Sequence, residues 1–574
     1  MSKIKSRIDV AMGRVVPDLI IKNATIVDVL GGTMEIGNIA IKDGYIAGIG
    51  EYENAPKIID GKGLFAIPGL IDSHIHIESS MLTPEELGRM VVPLGTTTIV
   101  ADPHEIVNIG GETALDYMLE AAKHTALDIQ YMLPSCVPAT PFETAGTTWT
   151  GADIARLLGE KPLLGLAEMM NYPGVTFAED EVLAKLDAAH QAGKPIDGHA
   201  PYVTGNMLNA YAGAGILTDH ECTTIEEMQE KIAKGMYILL RQGSACHDLE
   251  TLLPGVTAHN GRRLLLCSDD RQPDTILTRG HMDDHLRICR QAGLDAVTTL
   301  RMATLNPAEC YGLHDRGAIA PGRRADIVLM DDLETFQAKM VLIQGEVVAK
   351  NGQYLPKQTK ADTVDLTASF HVHNFSEERL NMNLSKDKVK VIGLIPGQIV
   401  TEKGIETVNV QNGDFVHDSA VDIAKLAVIE RHRGTGNVGL GLLAGYGIQR
   451  GAVALSIAHD SHNIITVGTN NQDMTAAVNG LIAQGGGIVL AEGGKIIASL
   501  PLPIGGIMSD QSGLWVRDQL DNIHKAARDI LGIRGDIEPV MSLAFMALPV
   551  IPALKLTDIG LFDVEKFDFT TIEA

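Results

Sequence analysis

The chain of 574 residues lacks the cysteine patterns that mark small metal-binding or disulfide-linked modules. Its six cysteines are dispersed and none forms a C-x-x-C pair, which argues against a zinc ribbon and against a disulfide framework. The charged N-terminal stretch MSKIKSRIDVAMGR is not followed by the apolar core of a secretory signal, and no uncharged apolar run is long enough to span a membrane. We therefore expect a cytoplasmic protein that does not enter a membrane.

Basic residues are also scarce. The chain has 47 lysines and arginines against 72 aspartates and glutamates, which gives a formal net charge of −25 at pH 7. A surface this acidic repels phosphate backbones, so nucleic acid is not an expected partner. The glycine-rich stretch ERHRGTGNVGLG (430–441) lacks the G-x-x-x-x-G-K-[ST] order, so it does not predict a phosphate-binding loop.

Two segments that flank the middle of the chain predict short strands rather than helices. Residues 18–67 alternate polar and apolar side chains and contain the turn sequences KDG and DGKG. A similar alternation returns near residue 325. We predict that residues 1–67 and 311–364 together form one composite β-sandwich domain.

The middle of the chain, residues 68–310, alternates apolar runs with helical stretches such as EDEVLAKLDAAHQAG. The apolar runs cover residues 69–78, 96–105, 128–138, 163–171, 194–201, 215–221, 237–245 and 262–270. Eight β-then-α units are the number in a (β/α)8 TIM-type barrel. The sequence therefore predicts an α/β fold with such a barrel at its centre.

The sequence pattern of the remaining segment, residues 365–574, differs from that of the middle segment. It predicts a separate C-terminal α+β domain. VKVIGLIPGQIV and VNVQNGDFV are typical of strands. AVDIAKLAVIERHR, TAAVNGLIAQGG and SGLWVRDQLDNIHKAARDIL are typical of helices.

Histidines and carboxylates stand at the ends of several apolar runs. In GLIDSHIHIESSM (69–81), His74 and His76 are two residues apart, so on a strand they point to the same face. Other run ends carry Asp102, His104, Glu168, His199, His220, Asp269 and Asp270. Because the C-terminal ends of barrel strands converge on one mouth, these side chains would meet there. Taken singly each has an ordinary structural explanation, but together they predict a site for one or two divalent metal ions.

The motifs that carry these residues resemble those of a known superfamily. PGLIDSHIHIE, GLAEMM, DGHAP, TDHE and CSDD resemble the metal-site segments of the amidohydrolase superfamily, and residues 303–332 resemble its passage from barrel to β domain. Within it the match is closest to the adenine deaminase family, through HIHIESSM, ADPHEI, Glu168 and AHDSHNIITVG (458–468). Many superfamily members carry a carboxylated lysine where this chain has Glu168, which weakens an interpretation as a dihydroorotase or hydantoinase.

The resemblance implies a binuclear metal centre and a reaction. His74, His76 and Asp269 would hold one ion, His199 and His220 the other, and Glu168 would bridge them. Asp102 would be a direct ligand or would lie behind the ligands. The carboxylate-rich set favours Mn²⁺ or Fe²⁺ over Zn²⁺. The implied activity is hydrolysis of free adenine to hypoxanthine and ammonia in purine salvage, through attack of a metal-activated hydroxide on C6.

We predict Asp269 as the proton carrier, because a ligand of the metal lies within reach of both water and substrate. The other predicted catalytic residues are Glu168, His220, Glu78 and Asp270, and Glu78 and Asp270 are also candidates for holding the purine edge. In the tail, His459, Asp460 and His462 would either bind a further metal or reach over the barrel mouth to the substrate. Their alternative is a polar strand end with no functional role.

Other functions stay open at this stage. The chain lacks the P-C-x-x-C that accompanies H-x-E in nucleic-acid base deaminases, which favours a free base as substrate. One alternative is another cyclic amidine or amide hydrolase on the same scaffold. A second is a non-catalytic assembly protein that has lost its ligands, although every expected ligand position is filled here. We also expect a homo-oligomer, with a dimer as the first guess.

Overall fold

The computed structural model describes residues 3–367 and 369–574. Residues 1 and 2 of the predicted segment 1–67, and residue 368 of the predicted segment 365–574, lie outside the described residues. Within the described part of the chain, no helix combines the length and the apolar character that crossing a membrane requires.

The N-terminal segment contains one helix followed by short strands. Their bounds are α1 Lys3–Ala11, β1 Leu19–Asp28, β2 Thr33–Lys42, β3 Tyr45–Gly50, β4 Lys57–Asp60 and β5 Phe65–Pro68. Strand β1 pairs antiparallel with β2 and parallel with β4 and β5.

The middle segment supplies a series of parallel strands. Their bounds are β6 Leu70–Ile75, β7 Thr96–Ala101, β8 Asp128–Tyr131, β9 Leu166–Met169, β10 Ile196–Gly198, β11 Thr218–Asp219, β12 Tyr237–Arg241 and β13 Leu264–Cys267. Every residue of β6, β7 and β13 is buried. Burial on both faces is typical of parallel strands that are covered by helices, and it accounts for their nearly continuous apolar sequence.

Helices separate most of these strands. Their bounds are α2 Pro84–Val91, α3 His104–Ala121, α4 Gly151–Glu160, α5 Tyr172–Thr176, α6 Asp180–Gln191, α7 Gly205–Gly213, α8 Ile225–Ala233, α9 Asp248–Leu252, α10 Pro273–Thr278, α11 Met282–Gln291, α12 Ala296–Met302 and α13 Leu305–Cys310. Helix α4 begins at a capping box between Thr150 and Asp153 and buries Ile154, Leu157 and Leu158, as an amphipathic helix on a sheet does.

Backbone pairing connects the parallel strands in series. The ladders run β6–β7–β8, β9–β10 and β11–β12–β13. Single backbone contacts join these groups, between Leu133 and Leu166, between Leu217 and Ile196, and between Asp269 and Ile75. The last contact brings the segment after β13 back to β6, so the two ends of the series lie side by side.

The return segment joins the N-terminal strands in one sheet. Its strands are β14 Ile327–Met330, β15 Ala338–Ile343, β16 Glu346–Lys350 and β17 Gln353–Tyr354. The sheet order is β17-β16-β15-β14-β5-β1-β2-β3, and β14 pairs antiparallel with β5. Strands from both sides of the middle segment therefore share one layer.

The C-terminal segment contains further strands and three helices among its described residues. The strands are β18 Lys388–Leu394, β19 Thr401–Thr407, β20 Asn409–Gln411, β21 Asp414–Val416, β22 Ile423–Ile429, β23 Val438–Ala444, β24 Ala452–Leu455, β25 Ile464–Gly468, β26 Gly487–Glu492, β27 Lys495–Pro501, β28 Leu554–Leu556, β29 Leu561–Asp563 and β30 Asp568–Phe569. The helices are α14 Asn471–Ala483, α15 Gly513–Asp529 and α16 Met541–Ala544. The main sheet has the order β19-β18-β23-β22-β25-β24-β26-β27, and α14 packs against it.

One predicted helix of the tail is wrong. AVDIAKLAVIERHR contains strand β22, which pairs with β23 on one side and β25 on the other. All seven residues of β22 are buried, so the run is apolar on both faces and does not alternate. A short apolar run of this kind does not distinguish a central strand from a buried helix.

Candidate active site

His74 and His76 lie side by side at the end of β6, as the strand period predicts. Their Nε2 atoms are 3.1 Å apart and both rings are buried. The Nδ1 atom of His76 is 3.0 Å from the carbonyl oxygen of Asp102, which leaves Nε2 of this ring to face the other side chains of the site. The two imidazoles therefore present adjacent nitrogen atoms to one space.

The Glu168 carboxylate lies at the centre of the histidines. Oε1 is 3.3 Å from Nε2 of His76 and 3.4 Å from Nδ1 of His104. Oε2 is 2.9 Å from Nδ1 of His199 and 3.4 Å from Nε2 of His220. One carboxylate at the end of β9 thus contacts imidazoles from both sides, one oxygen atom for each pair.

Asp269 closes this group from the other side. It follows β13, and its Oδ1 atom is 3.2 Å from Nε2 of His76 and 3.7 Å from Nε2 of His74. Its Oδ2 atom accepts a hydrogen bond of 2.9 Å from Arg241. The backbone of Asp269 has φ of 58°, a left-handed conformation that is uncommon for a residue other than glycine and that recurs at functional sites.

These contacts shift the proton affinities of the group. Burial raises the pKa of Glu168, but hydrogen bonds with His199 and His76 outweigh it and hold this pKa well below its usual range. Burial also raises the pKa of Asp269, but His76 and Arg241 bring it well below its usual range. Burial lowers the pKa of His76, whereas its two carboxylate partners raise it well above the ordinary value. The carboxylates are therefore ionised and paired. We call the inner cluster His74, His76, Glu168, His199, His220 and Asp269.

Asp102 borders the inner cluster through His104. Its Oδ2 atom is 3.1 Å from Nδ1 of His104, and its Oδ1 atom accepts a hydrogen bond from the backbone N–H of the same residue. Asp102, His104, His76 and Glu168 place one donor atom each within 4.8 Å of one another. Both the direct and the indirect role predicted for Asp102 are compatible with this position.

A second group of carboxyl side chains adjoins the inner cluster. Burial and Asp269 raise the pKa of Asp270 to about 7. Burial and Glu78 raise the pKa of Glu105 well above its usual range, and burial raises that of Glu78 as well. The Ser79 hydroxyl donates a hydrogen bond of 2.5 Å to Oε1 of Glu105. These carboxyl groups, unlike those of the inner cluster, therefore have raised pKa values.

The tail segment reaches this second group, as one of its predicted roles requires. Nε2 of His462 is 3.5 Å from Oε2 of Glu105, and Nδ1 of His459 is 4.0 Å from Oε1 of the same carboxyl. Asp460 instead approaches His104, with Oδ1 3.6 Å from Nε2 of that ring. The His459 ring stacks on Phe545 at 4.4 Å. We call the outer cluster Glu78, Glu105, Asp270, His459, Asp460 and His462.

One cavity connects the two clusters. Its walls include Glu168, Asp269, Asp270, Glu105, His459 and Asp460. Glu78 and His462 are not among these wall residues. The site is therefore built from the ends of the parallel strands and from the C-terminal segment.

The donor atoms of the inner cluster fit divalent cations. Two overlapping groups each place their donor atoms within 4.8 Å of one another: His74 with His76 and Asp269, and His74 with Glu168 and His220. Among the residues that the structure describes, Nε2 of His199 has no hydrogen-bond partner although it is buried. Imidazole and carboxylate oxygen are common ligands of Zn²⁺, Mn²⁺ and Fe²⁺.

Three residues of the site were missed in the sequence. Arg241 ends β12 and contacts Glu221, Asp248 and Asp269 through its guanidinium group. A charged residue at the end of a buried strand is the kind of signal that indicated Asp269. Glu221 directly follows His220 and is 3.4 Å from its ring. Glu105 is the last residue of the run 96–105 and lies in the first turn of α3, so the signal of a run end was present there too.

Family profiles match both parts of the site. The profile described as "Amidohydrolase family" matches residues 65–348, and the profile described as "Adenine deaminase C-terminal domain" matches residues 398–568. A protein named Adenine deaminase 2 from Desulfotalea psychrophila is 55% identical over 573 residues, which covers 100% of this chain and 99% of that protein. The chain belongs to the adenine deaminase family.

Other members of the adenine deaminase family match along their whole length. The adenine deaminase of Ligilactobacillus salivarius is 48% identical, with 100% of this chain and 99% of that protein covered. The adenine deaminase of Clostridium acetobutylicum is 46% identical, with 99% of each chain covered. The likeness therefore includes both the segment that carries the inner cluster and the tail that carries His459, Asp460 and His462.

Proposed function

We propose that this protein is a hydrolase that converts free adenine to hypoxanthine and ammonia. The observation that carries the proposal is the position of Glu168, whose two carboxylate oxygens contact imidazoles from opposite sides at the strand ends. In a chain of the adenine deaminase family, this arrangement supports a binuclear centre that serves deamination.

The inner cluster would hold two divalent cations. We propose His74, His76 and Asp269 for one ion, His199 and His220 for the other, and Glu168 as the bridge. Asp102 would ligate directly or position His104. When bound, the cations supply the Lewis acidity that makes hydroxide available near neutral pH. The oxygen-rich ligand set favours Mn²⁺ or Fe²⁺ over Zn²⁺.

Asp269 would carry the protons of the reaction. Its lowered pKa keeps the carboxylate ionised, so it can accept a proton as water adds to C6 of adenine. It would deliver this proton to N1, and the proton of the new C6 hydroxyl would pass to the amino group, which leaves as ammonia. The hydrogen bond from Arg241 holds the Asp269 carboxylate in place for both transfers.

The remaining predicted residues would support these steps. Glu168 and His220 would act through the metal centre. Asp270, with a pKa of about 7, could both donate and accept a proton at the purine edge, and Glu78 would assist behind it. Of the tail residues, His459 and Asp460 face the cavity and would contact the base, whereas His462 would act from behind the cavity wall.

The proposed function also implies a domain architecture and an oligomeric state. We interpret β6 to β13, with their connecting helices, as a (β/α)8 barrel over residues 68–310. Residues 1–67 and 311–364 would form the β-sandwich domain, and residues 365–574 the C-terminal α+β domain. We further propose a cytoplasmic homodimer that takes part in purine salvage.

The test is ammonia release from adenine by Mn²⁺-loaded protein. We expect release by the wild-type protein and loss of release in His74→Ala, which removes one metal ligand. The matched control is His417→Ala, since this half-buried histidine contacts a backbone carbonyl outside the site and should leave the rate unchanged. No release with two bound metals would favour another cyclic amidine or amide as substrate. No metal binding would favour a non-catalytic assembly protein.

A further inference from the structure

The Glu105 carboxyl group belongs to the cavity wall, and Nε2 of His462 lies 3.5 Å from its Oε2 atom. Its Oε1 atom accepts the Ser79 hydroxyl at 2.5 Å, which fixes the plane of the carboxyl group. Among the described residues, Oε2 has no hydrogen-bond partner, although the side chain is only 1% exposed. Buried polar atoms are rarely left without a partner, so this oxygen calls for a ligand.

The residues around Glu105 form one corner of the cavity. His459, stacked on Phe545, forms one wall, and within the described chain its Nε2 atom also has no hydrogen-bond partner. Both Glu105 and His459 line the same cavity as Glu168 and Asp269. A base bound in this cavity can therefore meet the inner cluster and this part of the wall together.

A cation is the alternative ligand of this corner. Glu105, His459 and His462 place one donor atom each within 4.8 Å of one another. However, Glu105 is the one carboxyl in this trio, and the buried guanidinium of Arg431 donates to the carbonyl oxygen of His462 and acts electrostatically on its ring. One carboxyl beside a fixed positive charge suits a neutral hydrogen-bond donor better than a further divalent ion.

We propose that Oε2 of Glu105 accepts a hydrogen bond from the imidazole-ring N–H of a free purine base and so selects free bases over nucleosides. A nucleoside carries a sugar on this nitrogen and has no N–H to offer, so Glu105 would stay unpartnered beside a bulky group. A carboxyl group keeps acceptor capacity in both protonation states, so the contact does not depend on how Glu105 titrates. This inference rests on the proposed deamination of adenine. It assigns to Glu105 the discrimination between free bases and nucleosides.

The test measures binding of the product, which is not turned over. Hypoxanthine and 9-methylhypoxanthine, which lacks the imidazole-ring N–H, are titrated calorimetrically into Mn²⁺-loaded protein. We expect the wild-type protein to bind hypoxanthine about 10- to 100-fold more tightly, the ratio that one hydrogen bond to a carboxyl group supports. Glu105→Ala should abolish this preference, and Glu105→Gln, which retains an amide oxygen acceptor, should keep part of it.

The controls separate the possible failures. Glu143→Gln changes another buried carboxyl, in the wall of a neighbouring cavity, and should bind like the wild type. Equal binding of the two compounds by the wild type, or a preference that survives in Glu105→Ala, would overturn the proposal. So would the loss of one equivalent of Mn²⁺ in Glu105→Gln, which would make Glu105 a cation ligand. Binding of the base without release of ammonia from adenine would instead contradict the deaminase function. It would not contradict the role of Glu105 in base binding.

Discussion

The inner and outer clusters contain the same kinds of side chain in opposite electrostatic states. In the inner cluster the pKa of Glu168 and of Asp269 is lowered, because imidazoles and Arg241 neutralise each carboxylate. In the outer cluster burial raises the pKa of Glu105 and of Asp270, and each has an oxygen without a hydrogen-bond partner in the described chain. Buried carboxyl groups must be paired or neutral. The inner cluster is therefore suited to cations, and the outer cluster to a neutral polar molecule.

The largest effect is expected from breaking the inner cluster at its centre. Glu168→Gln keeps the shape of the side chain but removes the charge that faces both pairs of imidazoles. We expect adenine deamination to fall by about 10³-fold or more, on the scale of losing one essential charge-stabilising group. Metal content, measured by mass spectrometry, should fall in the same protein. Retention of both metals and of activity would show that the bridge is not needed.

A smaller effect is expected from loosening the outer cluster. Ser79→Ala removes the hydroxyl that fixes the Glu105 carboxyl group, without altering a side chain of the inner cluster. We expect KM for adenine to rise by about 10-fold, the scale on which removing a supporting hydrogen bond acts, while kcat and metal content stay near the wild-type values. Steady-state kinetics would check this. A fall in metal content would show that the outer cluster also supports metal binding. The contrast between the two clusters would then not hold.

The smallest effect on activity is expected at Lys555, which supports the outer wall. Its buried ammonium group donates to the carbonyl oxygens of Ile399 and Phe545, and burial lowers its pKa to about 7. Between about pH 7 and pH 10 the unfolded chain binds a proton that the folded chain does not, so stability rises with pH by up to about 1.4 kcal/mol per unit. Lys555→Met should remove this contribution. Urea unfolding at pH 7, 8 and 9 would check it, and parallel pH profiles for the two proteins would contradict it.

The inner cluster followed from the sequence because its geometry is local to each strand. The spacing of His74 and His76 decides that they share a face, and Asp269 stands where β13 ends. The same pattern would have indicated Arg241, which ends β12 with a charged residue after a buried run. These positions depend on strand period and on the convergence of strand ends, and both can be recognised in a single chain.

Most residues of the outer cluster were named from the sequence, but the contact that joins them could not be derived in this way. Glu105 and His459 are more than 350 positions apart in the sequence, and their contact depends on how the C-terminal segment packs on the middle segment. The prediction of a helix at β22 was wrong for a related reason. The strand is buried on both faces because neighbouring strands from other parts of the chain pair with it. Long-range packing of this kind leaves no period in the sequence to detect.

The contribution of the tail to the cavity wall has a consequence during synthesis. The last residue of the inner cluster is Asp269, whereas Phe545, which closes the wall over His459, is translated 276 residues later. At about 5 to 20 residues per second the ribosome needs roughly 15 to 55 seconds to cover that distance. If the N-terminal part of the chain folds first, the imidazoles and carboxylates would be assembled but uncovered during this interval. We expect the nascent chain to acquire its metal ions then, so the ions most available at the ribosome would decide which form of the enzyme a cell makes.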